Sequence, residues 1–174
     1  MMSPVHFLID SDVLITAKNR YYAFTICPGF WESLLHAYDC ELLSSIDRVK
    51  NELLNGSPDD DLVKWVHETV PAHFFERSSG QDVIDAFKDV MLWVTRHSQF
   101  TEAAKANFAS GADGWLVAHG IAYGHIIVTN EQPAPYSKTK IKIPDLCNAF
   151  SVSFQDSFEM LRNIGIQFHF MPQH

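Results

Sequence analysis

The chain is short of cysteine, of basic charge and of long apolar runs, and each shortage removes a class of function. Its 174 residues include three cysteines, Cys27, Cys40 and Cys147. They are scattered, odd in number and without paired zinc-type spacing, so no disulfide scaffold is expected and a reducing cytoplasm is the expected compartment. No basic region stands ahead of a long apolar run at the start, Met1-Met2-Ser3-Pro4, and no stretch is long enough to cross a bilayer; neither a signal peptide nor a membrane span is expected. Lysine and arginine number 13 against 21 acids, a formal net charge of −8. That balance argues against a protein that coats nucleic acid by bulk electrostatics. It leaves room for a nucleic-acid enzyme, because acids converging on a metal site add to such a balance and bound cations reverse its local effect. There is no phosphate-binding glycine-rich loop, no internal repeat and no linker. None of the nine histidines falls in a His-Glu-x-x-His pattern, His119 reads as structural, and the Cys27 thiol has no evident base partner for nucleophilic catalysis.

What is present is an ordinary globular composition, 47% apolar and 20% charged, in a length that suits one domain spanning residues 1–174. Val5 to Ile9 reads as a short buried strand that stops at Asp10, after which Ser11 and Asp12 open a helix. Pro28 can start a helix carrying Phe30, Trp31, Leu34 and Leu35. Leu42 and Leu43 are a strand candidate. Ser44-Ser45-Ile46-Asp47 resembles a capping signal for a helix holding Val49, Glu52 and Leu53. Ser57-Pro58-Asp59-Asp60-Asp61 reads as a cap, a first-turn proline and first-turn acids. Ala72 to Phe75 is a third strand candidate. Amphipathic helices follow near Asp82 to Arg96 and from Thr101, and another opens at Ala112-Asp113 and ends at Gly124. His125 to Thr129 is the clearest strand after the first. Ile143 starts a short helix, Val152 and Phe154 fit a small strand, Asp156-Ser157 caps a helix to Asn163, and Ile166 to Phe170 reads as a last strand. Strands interleaved with helices predict an α/β fold, a three-layer α/β/α sandwich around a mainly parallel sheet.

Asp10 is the residue hardest to explain as scaffold. A carboxylate that interrupts an apolar run is costly to bury unless it is paired, hydrogen-bonded or metal-bound, and the tips of parallel strands are where open sheets place ligand crevices. Three other acids sit where a sheet edge would gather them: Glu131 just after the strand Ile126 to Val128, Asp113 at the start of the preceding helix, and Glu52 on the second helix. Each also has a plain reading. Asp113 suits the positive end of a helix dipole, Glu52 a solvated helix face, Glu131 a loop, and Asp12 either a charge in the site or a helix cap.

Taken in order, Leu8-Ile9-Asp10-Ser11-Asp12-Val13-Leu14-Ile15, Val49-Lys50-Asn51-Glu52-Leu53, Ala112-Asp113-Gly114-Trp115-Leu116-Val117-Ala118 and Ile127-Val128-Thr129-Asn130-Glu131 resemble a PIN domain. The chain is especially similar to PIN-like bacterial proteins with a Tyr-Tyr and a Cys-Pro-Gly-Phe-Trp segment after the first acid, here Tyr21-Tyr22 and Cys27 to Trp31. The resemblance implies a metal-dependent nuclease, and many bacterial members are ribonuclease toxins paired with an antitoxin. It maps Asp10, Glu52 and Asp113 onto the first three family acids. Glu131 falls where the family usually has Asp, Asp12 where Asn or Ser is common, and Thr129 at a hydroxyl position near the metal. The expected site is therefore Asp10, Glu52, Asp113 and Glu131, with Asp10, Asp113 and Glu131 as metal ligands and Asp12 and Thr129 in support.

Carboxylates are the hard ligands Mg²⁺ or Mn²⁺ prefers, and the implied reaction is hydrolysis of an RNA phosphodiester to a 5′-phosphate and a 3′-hydroxyl. Lys18, Arg20, Lys138 and Lys140 are candidate substrate contacts, joined by Arg48, Lys50 and Lys142 as local basic groups. Tyr21, Tyr22 and Trp115 either stack on unpaired bases or belong to the core. An antitoxin and a homodimer are the protein partners implied, with no membrane. Two other readings stand beside this one: a PIN-like interaction module with a weakened site, and a haloacid-dehalogenase-type phosphatase. The latter is suggested by Asp10-x-Asp12 after a strand but lacks a late Gly-Asp-x-x-x-Asp.

Overall fold

The computed structural model describes residues 5–170 and 172. Among them, five strands form one parallel sheet in the order β3-β2-β1-β4-β5: β1 (Phe7–Ile9), β2 (Leu43–Ile46), β3 (Phe75–Glu76), β4 (Ile126–Val128) and β5 (Phe154–Gln155). Of the nine α-helices among the described residues, eight carry the crossovers that parallel strands require. Helices α1 (Ser11–Thr16) and α2 (Pro28–Asp39) join β1 to β2, and α3 (Asp47–Leu53) and α4 (Asp61–Glu68) join β2 to β3. Helices α5 (Gln81–Arg96), α6 (Glu102–Ser110) and α7 (Asp113–Tyr123) join β3 to β4, α8 (Ile143–Phe150) joins β4 to β5, and α9 (Ser157–Asn163) follows. The result is consistent with the three-layer α/β/α sandwich that the sequence predicts. No helix among the described residues is long and apolar enough to cross a membrane.

The central strands are covered on both faces, so β1 reads Phe7-Leu8-Ile9 with no polar alternation, and all three are at most 2% exposed. From β1 the chain runs outward through β2 to β3, and it returns on the other side of β1 with β4 and β5. The strand order therefore reverses between β1 and β4, which are tied in register from Phe7–Ile126 to Ile9–Val128. A doubly wound sheet opens its ligand crevice at such a reversal, outside the carboxyl ends of the two strands. Asp10 and Thr129 are the residues that leave those two ends.

Helix α7 is held against its neighbours by an absent side chain. A Cβ at Gly114 would lie 3.0 Å from ring atoms of both Phe108 and Phe87, so the helix approaches α5 and α6 closely just where Asp113 begins it. At its other end Gly124 takes φ +71°, the left-handed turn that glycine adopts at no steric cost.

Four local expectations are corrected. Ser44 and Ser45 belong to β2 and do not cap a helix; their hydroxyls are satisfied across the sheet, Ser45 donating to the Ile9 carbonyl at 2.7 Å and Ser44 to Glu76, and α3 begins at Asp47. The cap of α4 is Asp60, whose side chain accepts from Leu62 N at 2.8 Å, while Ser57 only accepts from Asp59 N. Ala72–Phe74 is a 3₁₀ turn, and the strand is reduced to Phe75–Glu76. Residues 166–170 join no strand; they carry Phe168 against Tyr22, with ring centroids 5.8 Å apart.

Candidate active site

Asp10 ends β1 with its backbone N–H donating to Val128 O at 3.0 Å. It occupies the N-cap position of α1 in an extended conformation, yet its side chain makes no capping hydrogen bond. The carboxylate is thereby left for other work while being only 3% exposed. Thr129, 2% exposed at the end of β4, donates its hydroxyl to Asp10 Oδ2 at 3.2 Å. The same hydroxyl accepts from the Glu131 backbone N–H at 3.2 Å. One side chain thus fixes the first acid and the loop that carries the fourth.

Glu52 reaches the crevice from α3. Its Oε2 accepts from the Ser11 hydroxyl at 2.7 Å, and its Oε1 accepts from Ala112 N at 2.9 Å. It braces the start of α1 against the start of α7, which sets Asp10 and Asp113 relative to each other. The Ser11 oxygen also lies 3.4 Å from Asp10 Oδ1. Glu131 is braced in the same manner: Lys142 Nζ donates to Oε1 at 2.8 Å and Ile143 N, at the first turn of α8, donates to Oε2 at 2.9 Å. Each of these oxygens retains a second lone-pair direction. Asn130 between them accepts from both the N–H and the hydroxyl of Ser157, at the start of α9. The Thr129-Asn130-Glu131 loop is therefore locked at all three residues.

The electrostatics bear the mark of acids crowded in a dry place. Burial raises the Asp10 carboxyl well above its ordinary range, and repulsion from Asp113, Glu131 and Asp12 adds to it, against the donation from Thr129. Asp113 is pushed up to about 7 by burial and by Glu131 and Glu52, with Lys140 and Lys142 pulling the other way. The four acids named by the sequence thus meet at one crevice, and Asp12 contributes its charge from an exposed position in the first turn of α1. Among the described residues no three of them bring ligand oxygens all within 4.8 Å of one another.

The basic candidates divide. Lys140 and Lys142 face the acids closely enough to act on Asp113. Lys18 is spent on an ion pair with Asp60, and Arg20 is exposed in the π-helical turn Ala17–Tyr21. Lys138 closes the loop before α6 through its carbonyl, which accepts from Thr101 N at 2.9 Å. Trp115 stacks on Phe87 with centroids 3.7 Å apart and carries the Arg48 guanidinium 4.7 Å over its ring. Tyr22 stacks on Phe30 at 4.3 Å, while Tyr21 is 57% exposed. Sequence reasoning did not single out Ser11 as a bridge between Asp10 and Glu52. Its signal was available, a small hydroxyl set between two acids at a strand end.

A family model described as Domain of unknown function (DUF4411) matches residues 7–168, and the chain belongs to that family. Comparison with curated proteins and with solved structures gives no match.

Proposed function

We propose that this DUF4411 chain is a metal-dependent endoribonuclease of PIN type, acting in the cytoplasm. The observation that carries the reading is the pair Asp10 and Asp113: two carboxyls at the strand-order reversal, both driven toward protonation by burial and by neighbouring carboxylates. A scaffold gains nothing from such a pair, since removing the charge would relieve both costs. A divalent cation relieves them without removing the acids.

The donor set fits Mg²⁺ or Mn²⁺. All oxygens are hard carboxylate or hydroxyl oxygens, and the looseness of the acid group suits an ion that keeps several waters and takes only one or two protein carboxylates directly. Asp10 and Asp113 would be those ligands. Bound there, the ion would supply charge neutralisation, a polarised phosphate oxygen and a water acidic enough to lose its proton near neutral pH. Glu52 and Glu131 keep the two aspartates at their working separation, and Glu131, through any lone pair left beside Lys142, orients water or completes the ligand set. Thr129 holds the Asp10 carboxylate to one rotamer. Lys140 and Lys142 offset the negative field that would otherwise repel a phosphodiester, which answers the net charge of −8. Hydrolysis in line would leave the 5′-phosphate and free the 3′-hydroxyl. A role as the toxin of a toxin–antitoxin pair, with a small antitoxin as partner, agrees with this chemistry and with the family resemblance.

The test is cleavage of single-stranded and structured RNA by the purified full-length chain, with Mg²⁺ or Mn²⁺ and then with chelator, beside Asp10→Asn and Asp113→Asn. Metal-dependent cleavage that falls at least ~100-fold in both variants supports the proposal. Cleavage indifferent to chelator and to both substitutions would mark a contaminant and end it.

A further inference from the structure

We propose that His6, Glu76 and His125 form a second metal site, for a zinc-class divalent cation, at the far side of the sheet from the acid crevice. The site is separate from the nuclease reading and does not depend on it.

The topology brings these three together from three strands. His6 and His125 immediately precede β1 and β4, and Leu8 pairs with both Ser44 and Ile127. Counting back by two along each strand puts His6, Ser44 and His125 on one face. Glu76 ends β3 opposite Ile46 on that same face, and its carboxylate leans back to accept from Ser44. Among the described residues this is the one group of three whose ligand atoms all lie within 4.8 Å of one another. Two ligands on a tetrahedral zinc with bonds of ~2.1 Å sit about 3.4 Å apart, so small side-chain rotations close the set.

The surroundings are those of held ligands. The His6 ring places Nδ1 2.9 Å from the Glu41 carbonyl oxygen. Nε2 lies 2.7 Å from Ser44 Oγ, whose own proton goes to Glu76, and 3.5 Å from Glu76 Oε1, so a cation that displaces the Nε2 proton would meet a ring already oriented toward the cluster by its Nδ1 contact. Glu76 Oε2 lies 3.6 Å from Nδ1 of His119, a residue with no exposure at all. Buried Nδ1 atoms of both His119 and His125 lack a hydrogen-bond partner, an unusual cost for two imidazoles beside one carboxylate. His6 and His125 stand with ring centroids 4.4 Å apart, close enough for one cation to reach both rings after a small opening. A cavity of about 380 Å³ borders His6, Ser44 and Glu76, with room for water at a fourth position. Two imidazole nitrogens and one carboxylate form a borderline-soft donor set that favours Zn²⁺ over Mg²⁺, whereas the acid crevice offers oxygen alone. The two sites would therefore sort metals by chemistry.

The test uses the chelator-stripped full-length chain in excess Mg²⁺, titrated with Zn²⁺ and, for its spectrum, with Co²⁺. The proposal expects one equivalent of Co²⁺ with the intense visible absorption of a tetrahedral centre. It expects uptake to persist in an Asp10→Asn, Asp113→Asn double variant and to weaken at least about tenfold in His6→Gln and in His125→Asn. Equal uptake in the histidine variants, no uptake by the parent, or loss confined to the double aspartate variant overturns it and leaves a plain histidine–carboxylate ion pair. If a histidine variant fails to fold, the parent's Co²⁺ spectrum decides: weak, octahedral-type absorption is also a refutation.

Discussion

Helix α7 starts among carboxylates and ends over imidazoles, and the two ends handle charge in opposite ways. At Asp113 burial and the collected like charges of Glu131 and Glu52 resist ionisation, and the carboxyl rises to about 7. At the other end opposite charges meet. Burial would raise Glu76, but His119, His6 and Ser44 outweigh it and hold the carboxylate well below its ordinary range. Burial lowers His6, yet Glu76 and the Glu41 carbonyl bring it above its ordinary value. The first cluster stores a cost that a cation would remove; in the second the carboxylate is held ionised among imidazoles, the state a metal ligand needs. An acid group with an unrelieved cost is the better candidate for catalysis, and a carboxylate held ionised among imidazoles for a metal that takes no part in it.

The sharpest way to break that contrast is to remove each acid's charge and measure activity. Asp10→Asn and Asp113→Asn should cut metal-dependent RNA cleavage to ~1% of the parent's or less, while Glu76→Gln should leave the rate constant within a fewfold. A Glu76→Gln chain as inactive as Asp10→Asn, though folded, would put the working site at the wrong end of α7.

Stability should separate the ends next, with opposite sign. Asp113 has a folded-state value above its unfolded one, so its ionisation costs the metal-free fold nothing below about pH 4, costs more as pH rises, and costs the full amount above about pH 7. Asp113→Asn in chelator should therefore melt at the parent's temperature near pH 4 and above it at pH 8, by a free energy on the order of 2 to 4 kcal/mol. Added Mg²⁺ should shrink that difference. Glu76 is depressed, so its contribution is present above its unfolded value of 4.5 and is lost as pH falls through the folded one. Glu76→Gln should melt lower than the parent at neutral pH, by roughly 1 to 2 kcal/mol because its side chain is 29% exposed. Thermal melts of both variants against pH check the pair of signs.

These ends also differ in how far they could be read in advance. Asp10 and Asp113 announce themselves, because an acid that breaks an apolar strand or opens an apolar helix stands out against its neighbours. Glu131 is marked by its place just after a strand, and Glu52 by its place on an apolar helix and by the resemblance to the PIN order of acids. The histidine cluster gives no such signal: His6, Glu76 and His125 come from three strands with no fixed spacing, and only the sheet register unites them. Ser44 and Ser45 were misread for a related reason. Two serines before an apolar helix look like a cap when the partners that satisfy them, Ile9 O and Glu76, lie 36 and 32 residues away. The run from Ile166 to Phe170 has a strand's composition but no neighbour to pair with, since residue type does not by itself supply a sheet edge. The helices were the easier part, being marked chiefly by their own apolar period, with a side-chain cap adding to the signal at Asp156 of α9.

Within the acid end, the braces should matter less than the ligands. Glu52→Ala removes the acceptor for Ala112 N and Ser11 at once, and supports of this kind cost roughly 10- to 100-fold when lost. Glu52→Gln keeps one acceptor oxygen and should recover part of that loss, unless the charge itself is needed at the ion. A Gln variant as poor as the Ala variant would move Glu52 from brace to ligand.

The smallest effect expected is at Thr129, and it is the one that asks whether the acid end is a built site or only a gathering of charge. Thr129→Val keeps the shape of a residue that is 2% exposed, so packing changes little. What disappears is a single hydroxyl that donates to Asp10 Oδ2 and accepts from Glu131 N. If crowding alone raised the acids and drew in the cation, losing that neutral group would leave metal affinity unchanged. If the hydroxyl sets the Asp10 rotamer and ties it to the Glu131 loop, metal affinity and cleavage should both drop by roughly 3- to 10-fold, the equivalent of about 1 kcal/mol for one hydrogen bond. Thr129→Ser, which keeps the hydroxyl, should stay near the parent. Mg²⁺ titration of cleavage by the three chains distinguishes the cases, because a defect in positioning moves the metal midpoint and a general loss of stability does not.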